Sequence, residues 1–216
     1  MKPLVIINFK AYVEAQGAIE LALKCEEVDS NAEIIVAPAI SDLSLVRTAV
    51  HIPVFSQHVD DVEAGAYTGH VTVSSIQAHG AVGTLINHSE RPVSLEHIRN
   101  AVKLCKEKKL ISVVCAPSLD AIRTVLGACA PDFIAYEPPE LIGGNVSVTS
   151  AKTEIIRKAA EIVHEKKSKL LCGAGIKTGK DVRMALKLGC AGVLVASGVV
   201  KAEDPKKALM DLVKAP

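Results

Sequence analysis

Residues 82–109 read VGTLINHSERPVSLEHIRNAVKLCKEKK and contain one complete unit of strand, loop and helix. The unit begins with a short apolar run that ends at Asn87, as expected of a strand buried on both faces. After a polar loop, Ser94 precedes a segment whose apolar residues recur every three or four positions, at Ile98, Ala101, Val102 and Cys105. This spacing predicts a one-sided helix with Ser94 as its N-cap. A buried strand followed by such a helix is the unit of a parallel sheet covered by helices.

The same unit recurs along the chain of 216 residues. Eight apolar runs predict strands, at 4–9, 33–38, 54–57, 82–87, 110–116, 133–136, 169–173 and 192–196. Eight segments with helical periodicity alternate with them, at 14–28, 41–50, 73–79, 95–109, 119–127, 151–167, 178–188 and 204–213. Ser41 is expected to cap the second helix and Gly189 to end the seventh in a left-handed conformation. No linker or change in composition interrupts the alternation, so residues 1–216 are expected to form a single domain.

Eight parallel strand–helix units are compatible with two architectures, an open doubly wound sheet or a closed barrel. Eight is the number of units that closes a barrel, and closure also removes the exposed sheet edges. None of the apolar runs has the charged or proline-broken character of a protected edge strand. The α/β fold class expected is therefore a single compact (β/α)8 barrel.

Composition excludes several classes of function. The net charge of +1 argues against nucleic acid and anionic membranes as partners. The six cysteines form no C-x-x-C pair and most lie among apolar residues, which predicts buried free thiols in a reducing compartment. No histidine has a partner at metal-ligand spacing, so no metal site is expected. The N-terminus lacks a signal-peptide pattern and no apolar run approaches ~18 residues, which together predict a cytoplasmic protein.

Polar residues follow the strands at the end of the barrel where such folds carry their active sites. Lys10 follows the first strand, His88 the fourth and Glu137 the sixth, while small-residue turns follow the seventh and eighth. A carboxylate can remove a proton from a carbon beside a carbonyl, a neutral imidazole can polarise that carbonyl, and an ammonium can stabilise the oxyanion. Backbone N–H groups of small-residue turns can bind a phosphate.

Five motifs carry a resemblance that covers the whole chain: NFKAY at 8–12, NHSERP at 87–92, AYEPPELIGG at 135–144, CGAGI at 172–176 and LVASGVV at 194–200. Together they resemble triosephosphate isomerase, in its short archaeal-type branch. The resemblance implies a TIM barrel that interconverts glyceraldehyde 3-phosphate and dihydroxyacetone phosphate through an enediolate, in glycolysis and gluconeogenesis. It also implies that no cofactor is needed and that the chain forms a homo-oligomer, a tetramer rather than a dimer.

The resemblance implies a role for each site residue. Glu137 is the base and His88 the electrophile, kept neutral by a following helix N-terminus, while Lys10 supplies positive charge. Glu90 orients Lys10, although Glu90 could instead pair with Arg91, and Ser89 is a further supporting residue. The implied substrate-binding residues are Asn8, Phe9, Lys10, Ile142, Gly143, Gly175, Ala196 and Ser197.

Two segments outside the catalytic trio are also implied to have functions. Residues 138–144 would form a lid that keeps water from the enediolate, and the loop at 65–69 would contact a partner subunit. Most members have a tyrosine and a serine that latch the lid, at positions occupied here by Cys172 and Gly175. Two other readings remain open: another phosphate-binding barrel, such as an aldolase or a sugar-phosphate epimerase, or a barrel without catalysis.

Overall fold

Eight parallel strands form the centre of the molecule, in the spatial order β2-β1-β8-β7-β6-β5-β4-β3. The computed structural model describes residues 2–138 and 153–214. The strands are β1 Leu4–Asn8, β2 Glu33–Ala37, β3 Phe55–Ser56, β4 Gly83–Ile86, β5 Ile111–Ala116, β6 Phe133–Tyr136, β7 Lys169–Cys172 and β8 Gly192–Val195. All of the strands predicted from the sequence are present.

The sheet closes almost completely into a barrel between its first and last members. β2 and β3 meet through a single parallel bridge between Val36 and Val54. There the Val36 N–H donates to the carbonyl of Pro53 at 3.2 Å. This closure confirms the (β/α)8 barrel over the open sheet.

The strands are buried on both faces, which explains why they read as continuous apolar runs. Alternate residues of β1 separate cleanly: Leu4 and Ile6 belong to a small cluster with members from all eight strands, whereas Val5 and Ile7 belong to a larger one shared with the helices. The small cluster is the barrel interior, and the large one is the layer between barrel and helices. In β1 and β6 the interior series continues into Asn8 and Glu137, which line a cavity at the mouth of the barrel.

Helices cover the outside of the barrel. They are α1 Gln16–Glu26, α2 Leu43–Ala49, α3 Val73–Ala78, α4 Leu95–Glu107, α5 Leu119–Ala128, α6 Thr153–Glu165, α7 Gly179–Lys187, α8 Ser197–Val200 and α9 Pro205–Val213. In α4 the buried residues are the predicted four, and the Ser94 side chain accepts the His97 N–H as an N-cap. Gly189, which follows α7, has a φ of 97°, as its predicted role requires.

Two local predictions were wrong, and one short helix was missed. Ser41 does not cap α2, because it lies within a 3-10 turn, Ile40–Asp42, that precedes the helix. In α6 the fully buried face contains Ile156 and Ala160, while the expected Ile155 and Ile162 are only partly buried. The short helix α8 was not predicted, because four residues are too few to show a period.

The cysteines agree with the expectation of free thiols. All six are unpaired, and five of them are buried. Within the described part of the chain, no helix is long and apolar enough to cross a membrane.

Candidate active site

A cavity of about 410 Å³ opens at the carboxyl ends of the strands. It is lined by Asn8, Lys10, His88, Glu137, the segment 173–177 and the segment 194–198. The strand order places these residues on neighbouring elements although they are far apart in sequence. The lysine, histidine and glutamate predicted to act together therefore share one site.

The backbone after β1 turns Lys10 towards this cavity. Asn8 continues the interior series of β1, and its side chain accepts the Lys10 N–H at 2.9 Å. Lys10 itself has a φ of 51°, an unfavourable left-handed conformation for a side chain with a Cβ. The Gln57 side-chain amide holds this turn by donating to the carbonyls of Lys10 (3.0 Å) and Ala37 (2.9 Å).

Phe9, also predicted to bind the substrate, does not face the cavity. Its position between Asn8 and Lys10 points it outward, so its fully buried ring packs in the layer between the barrel and the helices. Phe9 lines neither of the two cavities that contain Asn8 and Lys10.

Glu90 forms its ion pair with Lys10 and not with Arg91. Lys10 Nζ lies 2.7 Å from Glu90 Oε1. The lysine side chain is mostly buried, whereas that of Glu90 is 57% exposed. The pair therefore fixes the ammonium at the cavity wall while the carboxylate stays in solvent.

His88 is held so that one ring nitrogen faces the cavity as a hydrogen-bond donor. The Glu90 backbone N–H donates to His88 Nδ1 at 3.1 Å, which assigns the ring proton to Nε2. His88 Nε2 lies 3.6 Å from Glu137 Oε1. Burial and then the charge of Lys10 lower the pKa of His88, while Glu90 opposes this shift. The helix that follows His88, whose N-terminus was expected to keep the imidazole neutral, is α4, which begins at Leu95.

Asn87 secures the loop that carries His88. Asn87 has a φ of 60°, and its side-chain amide donates to the carbonyl of Cys115 at 2.9 Å. Its Oδ1 accepts the N–H of Val93 at 3.0 Å. These bonds attach the loop to β5 on one side and to the start of α4 on the other.

The Glu137 carboxylate is almost completely shielded from solvent. Its side chain is only 6% exposed. Within residues 2–138 and 153–214, Glu137 Oε2 has no hydrogen-bond partner. Burial raises the pKa of Glu137 to about 7, although the Cys115 thiol and Lys10 lower it in part. A carboxyl group with such a pKa can both accept and return a proton near neutral pH.

Gly173 leaves the space that Glu137 occupies. A Cβ at this position would collide with Glu137 Cγ. The first residue after β7 is therefore restricted to glycine by the close approach of the candidate base.

Gly173→Ala is expected to lower kcat about 10²-fold, because a displacement of the base by about 1 Å costs that much. KM should change far less, since the phosphate-binding turns are untouched. Steady-state kinetics in both directions would measure the effect. Gly127→Ala in α5 is the matched control, because nothing lies within 4 Å of a Cβ there. A Gly173→Ala enzyme with the parent's kcat would show that the contact does not position Glu137.

Apart from the catalytic trio, the cavity that contains Lys10, His88 and Glu137 is lined largely by small residues. Gly175 has a φ of 67°, and Ala196 and Ser197 stand at the start of α8. The first N–H groups of a helix have no acceptor within the helix, so those of α8 are available to other groups. The predicted site residues Ile142 and Gly143 and most of the lid, 139–144, lie outside the described residues.

Three residues of this site were missed from the sequence: Gln57, Cys115 and Gly173. Gln57 follows a strand like several other polar residues, and its bond to Lys10 spans 47 positions. Cys115 resembles any apolar residue of a buried run. Of the supporting residues that were predicted, Ser89 is exposed and lines a separate cavity of about 210 Å³ behind Glu137.

Outside the cavity, the fold brings together three residues for which the sequence spacing predicted no metal site. His58, Asp60 and His97 bring their ligand atoms within 4.8 Å of one another. His97 lies on α4, so only the fold brings it to the other two residues.

Comparison with known proteins agrees with the architecture. The family model described as triosephosphate isomerase matches residues 3–215. The triosephosphate isomerase of Methanosarcina barkeri is 46% identical over 220 residues, which cover 98% of both chains. Those of Methanothermus fervidus, 44% identical with 98% of both chains covered, and Methanobrevibacter smithii, 41% identical with 98% of this chain and 97% of the relative covered, are similar along their whole length. The chain belongs to the triosephosphate isomerase family.

Proposed function

We propose that Glu137, His88 and Lys10 carry out the interconversion of glyceraldehyde 3-phosphate and dihydroxyacetone phosphate. The observation that carries this assignment is Glu137: its pKa is raised to about 7 by burial, and it lies 3.6 Å from His88 Nε2. A base at that pKa is matched to a reaction in which one proton is first removed and then returned.

Each step of the reaction moves one proton. Glu137 takes a proton from the carbon beside the substrate carbonyl, and the electron pair of that C–H bond moves towards the carbonyl oxygen. The Nε2–H of His88 and the ammonium of Lys10 face the cavity and stabilise the negative charge that develops there. His88 Nε2–H gives its proton to that oxygen and takes the proton of the neighbouring hydroxyl, so that the negative charge moves to the second oxygen. Protonated Glu137 then returns its proton to the former carbonyl carbon while the second oxygen forms the new carbonyl, which completes the exchange of aldehyde and ketone.

The substrate phosphate would bind at the small-residue wall of the cavity. The turn at Gly175 and the backbone at Ala196 and Ser197 offer N–H groups without bulky side chains in front of them. Anions bind to such groups, and the reacting end is then placed towards Glu137. Ile142 and Gly143 of the lid are proposed to complete this phosphate site and to exclude water from the enediolate.

Solvent labelling tests this mechanism. Conversion of either triose phosphate in heavy water is expected to place deuterium on a carbon beside the product carbonyl, because a proton held by Glu137 can exchange with solvent. Mass spectrometry or proton NMR of the product would detect it. Product without label would indicate a hydride shift instead. A lysine adduct trapped by borohydride, with carbon–carbon bonds made or broken, would indicate an aldolase, an alternative that the Lys10–Glu90 ion pair already disfavours.

The chain is further proposed to be a cytoplasmic homo-oligomer, a tetramer rather than a dimer, that acts in glycolysis and gluconeogenesis. Six free cysteines suit a reducing compartment. The loop 65–69, proposed to contact a partner, carries Tyr67 with 49% of its surface exposed. Light scattering would test the assembly, and a monomeric mass would contradict it.

A further inference from the structure

A cluster of two imidazoles and a carboxylate lies between the loop after β3 and helix α4. His58 Nε2 is 3.1 Å from Asp60 Oδ1. His97, on the first turn of α4, completes the group with its ring centre 5.6 Å from that of His58. The side chains of Asp60 and His97 are 15% and 14% exposed, so the cluster is sheltered but open to small ions on one side.

A second layer of contacts orients His97. Its Nδ1 lies 3.4 Å from Asp61 Oδ1, and Asp61 Oδ2 accepts a hydrogen bond from the Asn100 side chain at 3.3 Å. Its Nε2 is left facing the carbonyl of Val59 at 2.9 Å. Histidines that bind metals typically present one nitrogen to the ion while the other contacts a carboxylate.

We propose that His58, Asp60 and His97 form a binding site for a divalent transition cation of the Zn²⁺ class. Two imidazoles with one carboxylate are a ligand set that Zn²⁺ accepts, with water in the remaining position. The 3.1 Å separation of His58 Nε2 and Asp60 Oδ1 is close to the roughly 3.3 Å expected of two ligands about 2.0–2.1 Å from a tetrahedral ion. His97 completes the set by a small ring rotation that exchanges its bond to Val59 for a bond to the ion.

The local charges favour a cation. Asp60 and Asp61 supply two carboxylates. The positive charge of Arg91, which acts on His58, partly offsets them. The cation would add a bond between the loop after β3 and α4, beside the existing contact of His97 with the Val59 carbonyl. It would therefore act as a structural clamp rather than as part of the isomerisation.

A bound cation would fix the base of the loop 61–70 to α4. Asp60 Oδ2 accepts the N–H of Val71 at 2.7 Å, and the Asp60 N–H donates to the Val71 carbonyl at 2.8 Å. These two bonds close the base of the loop. An ion held by Asp60 would fix that base to α4, and would do so beside the cavity of about 220 Å³ that His58 and Arg91 share with Lys10 and Glu90.

Titration of the full-length protein with Co²⁺ tests the proposal, because its visible absorption reports the ligands. We expect one ion per chain, intense tetrahedral bands and no thiolate-to-cobalt charge transfer. Burial raises the pKa of Cys25, Cys105 and Cys190 to about 12, which keeps these thiols protonated. Zn²⁺ should displace the cobalt and raise the midpoint of thermal unfolding.

Two variants decide whether these residues are the ligands. Asp60→Asn keeps the shape and one acceptor oxygen for the Val71 N–H but removes the charged ligand, and His97→Gln removes the imidazole of a mostly buried side chain. Each is expected to weaken Co²⁺ binding by at least about tenfold, since even outer partners of metal ligands contribute that much. Circular dichroism would confirm that both variants fold. His164→Gln, an exposed histidine of α6, is the matched control and should bind as the parent does. Parent-like affinity in both cluster variants, or a charge-transfer band from thiolate, would overturn the proposal.

Discussion

Glu137→Gln is expected to lower kcat by at least ~10²–10⁴-fold, the contribution of a general base, with little loss of ground-state affinity. Glutamine has the shape of the protonated acid, so the cavity and the phosphate-binding wall should keep their geometry. The dissociation constant of a non-reacting triose-phosphate analogue should stay within about tenfold, since the carboxylate acts mainly in the transition state. Single-turnover kinetics and calorimetric titration would measure the two quantities separately.

The same substitution should stabilise the folded protein above neutral pH. Burial raises the pKa of Glu137 from 4.5 to about 7. A raised carboxyl pKa contributes stability that is present below the unfolded pKa and is lost as the pH rises through the folded one. The charged form therefore costs the native state roughly 3 kcal/mol at pH 8, and glutamine removes that cost. Denaturant unfolding at pH 8 and pH 4 should show a more stable variant at the higher pH only.

Loss of rate together with gain of stability separates a catalytic group from a structural one. A residue that merely supports the fold would lose both when replaced. Glu20→Gln, on the exposed face of α1, should leave rate and stability unchanged. Near-normal turnover of Glu137→Gln would remove Glu137 from the mechanism.

The architecture was predictable from the sequence because its signals are local. Continuous apolar runs and three- or four-residue spacing define strands and one-sided helices without knowledge of the fold. Ser94 and Gly189 were recognisable for the same reason, as a cap and a left-handed terminus depend only on adjacent residues. Ser41 failed because a 3-10 turn shifts the start of α2 by two residues.

From the sequence, only the site residues that directly follow a strand could be predicted. Lys10, His88 and Glu137 follow apolar runs, so their convergence follows from parallel strands alone. Phe9 shares a motif with Asn8 and Lys10 but does not line the cavity, because strand alternation sends neighbouring residues to opposite faces. Gln57 and the cluster of His58, Asp60 and His97 depend on contacts between distant segments, which no local pattern encodes.

Lys10→Met is expected to lower both affinity and rate. The ammonium attracts the substrate anion before reaction and the enediolate during it, so ground state and transition state both lose an interaction. Loss of one such preorganised electrostatic contact lowers kcat by about 10²–10³-fold. Affinity for a triose-phosphate analogue should fall roughly ten- to a hundredfold, as expected when a charged hydrogen bond is removed. Lys103→Met, an exposed lysine of α4, controls for the change in net charge.

The ion pair complicates this variant, because Glu90 loses its partner while its Oε2 remains 3.7 Å from His88 Nδ1. A lone carboxylate there would raise the pKa of His88 and could lower the rate by itself. Two further variants separate the causes. Glu90→Gln keeps the Lys10 charge and should reduce kcat less than Lys10→Met does, whereas the double variant removes both charges. If Lys10 acts directly, the double variant stays as impaired as Lys10→Met. Recovery of kcat/KM in the double variant would instead assign the loss to Glu90, and unchanged affinity for the analogue in Lys10→Met would contradict the role of Lys10 in binding.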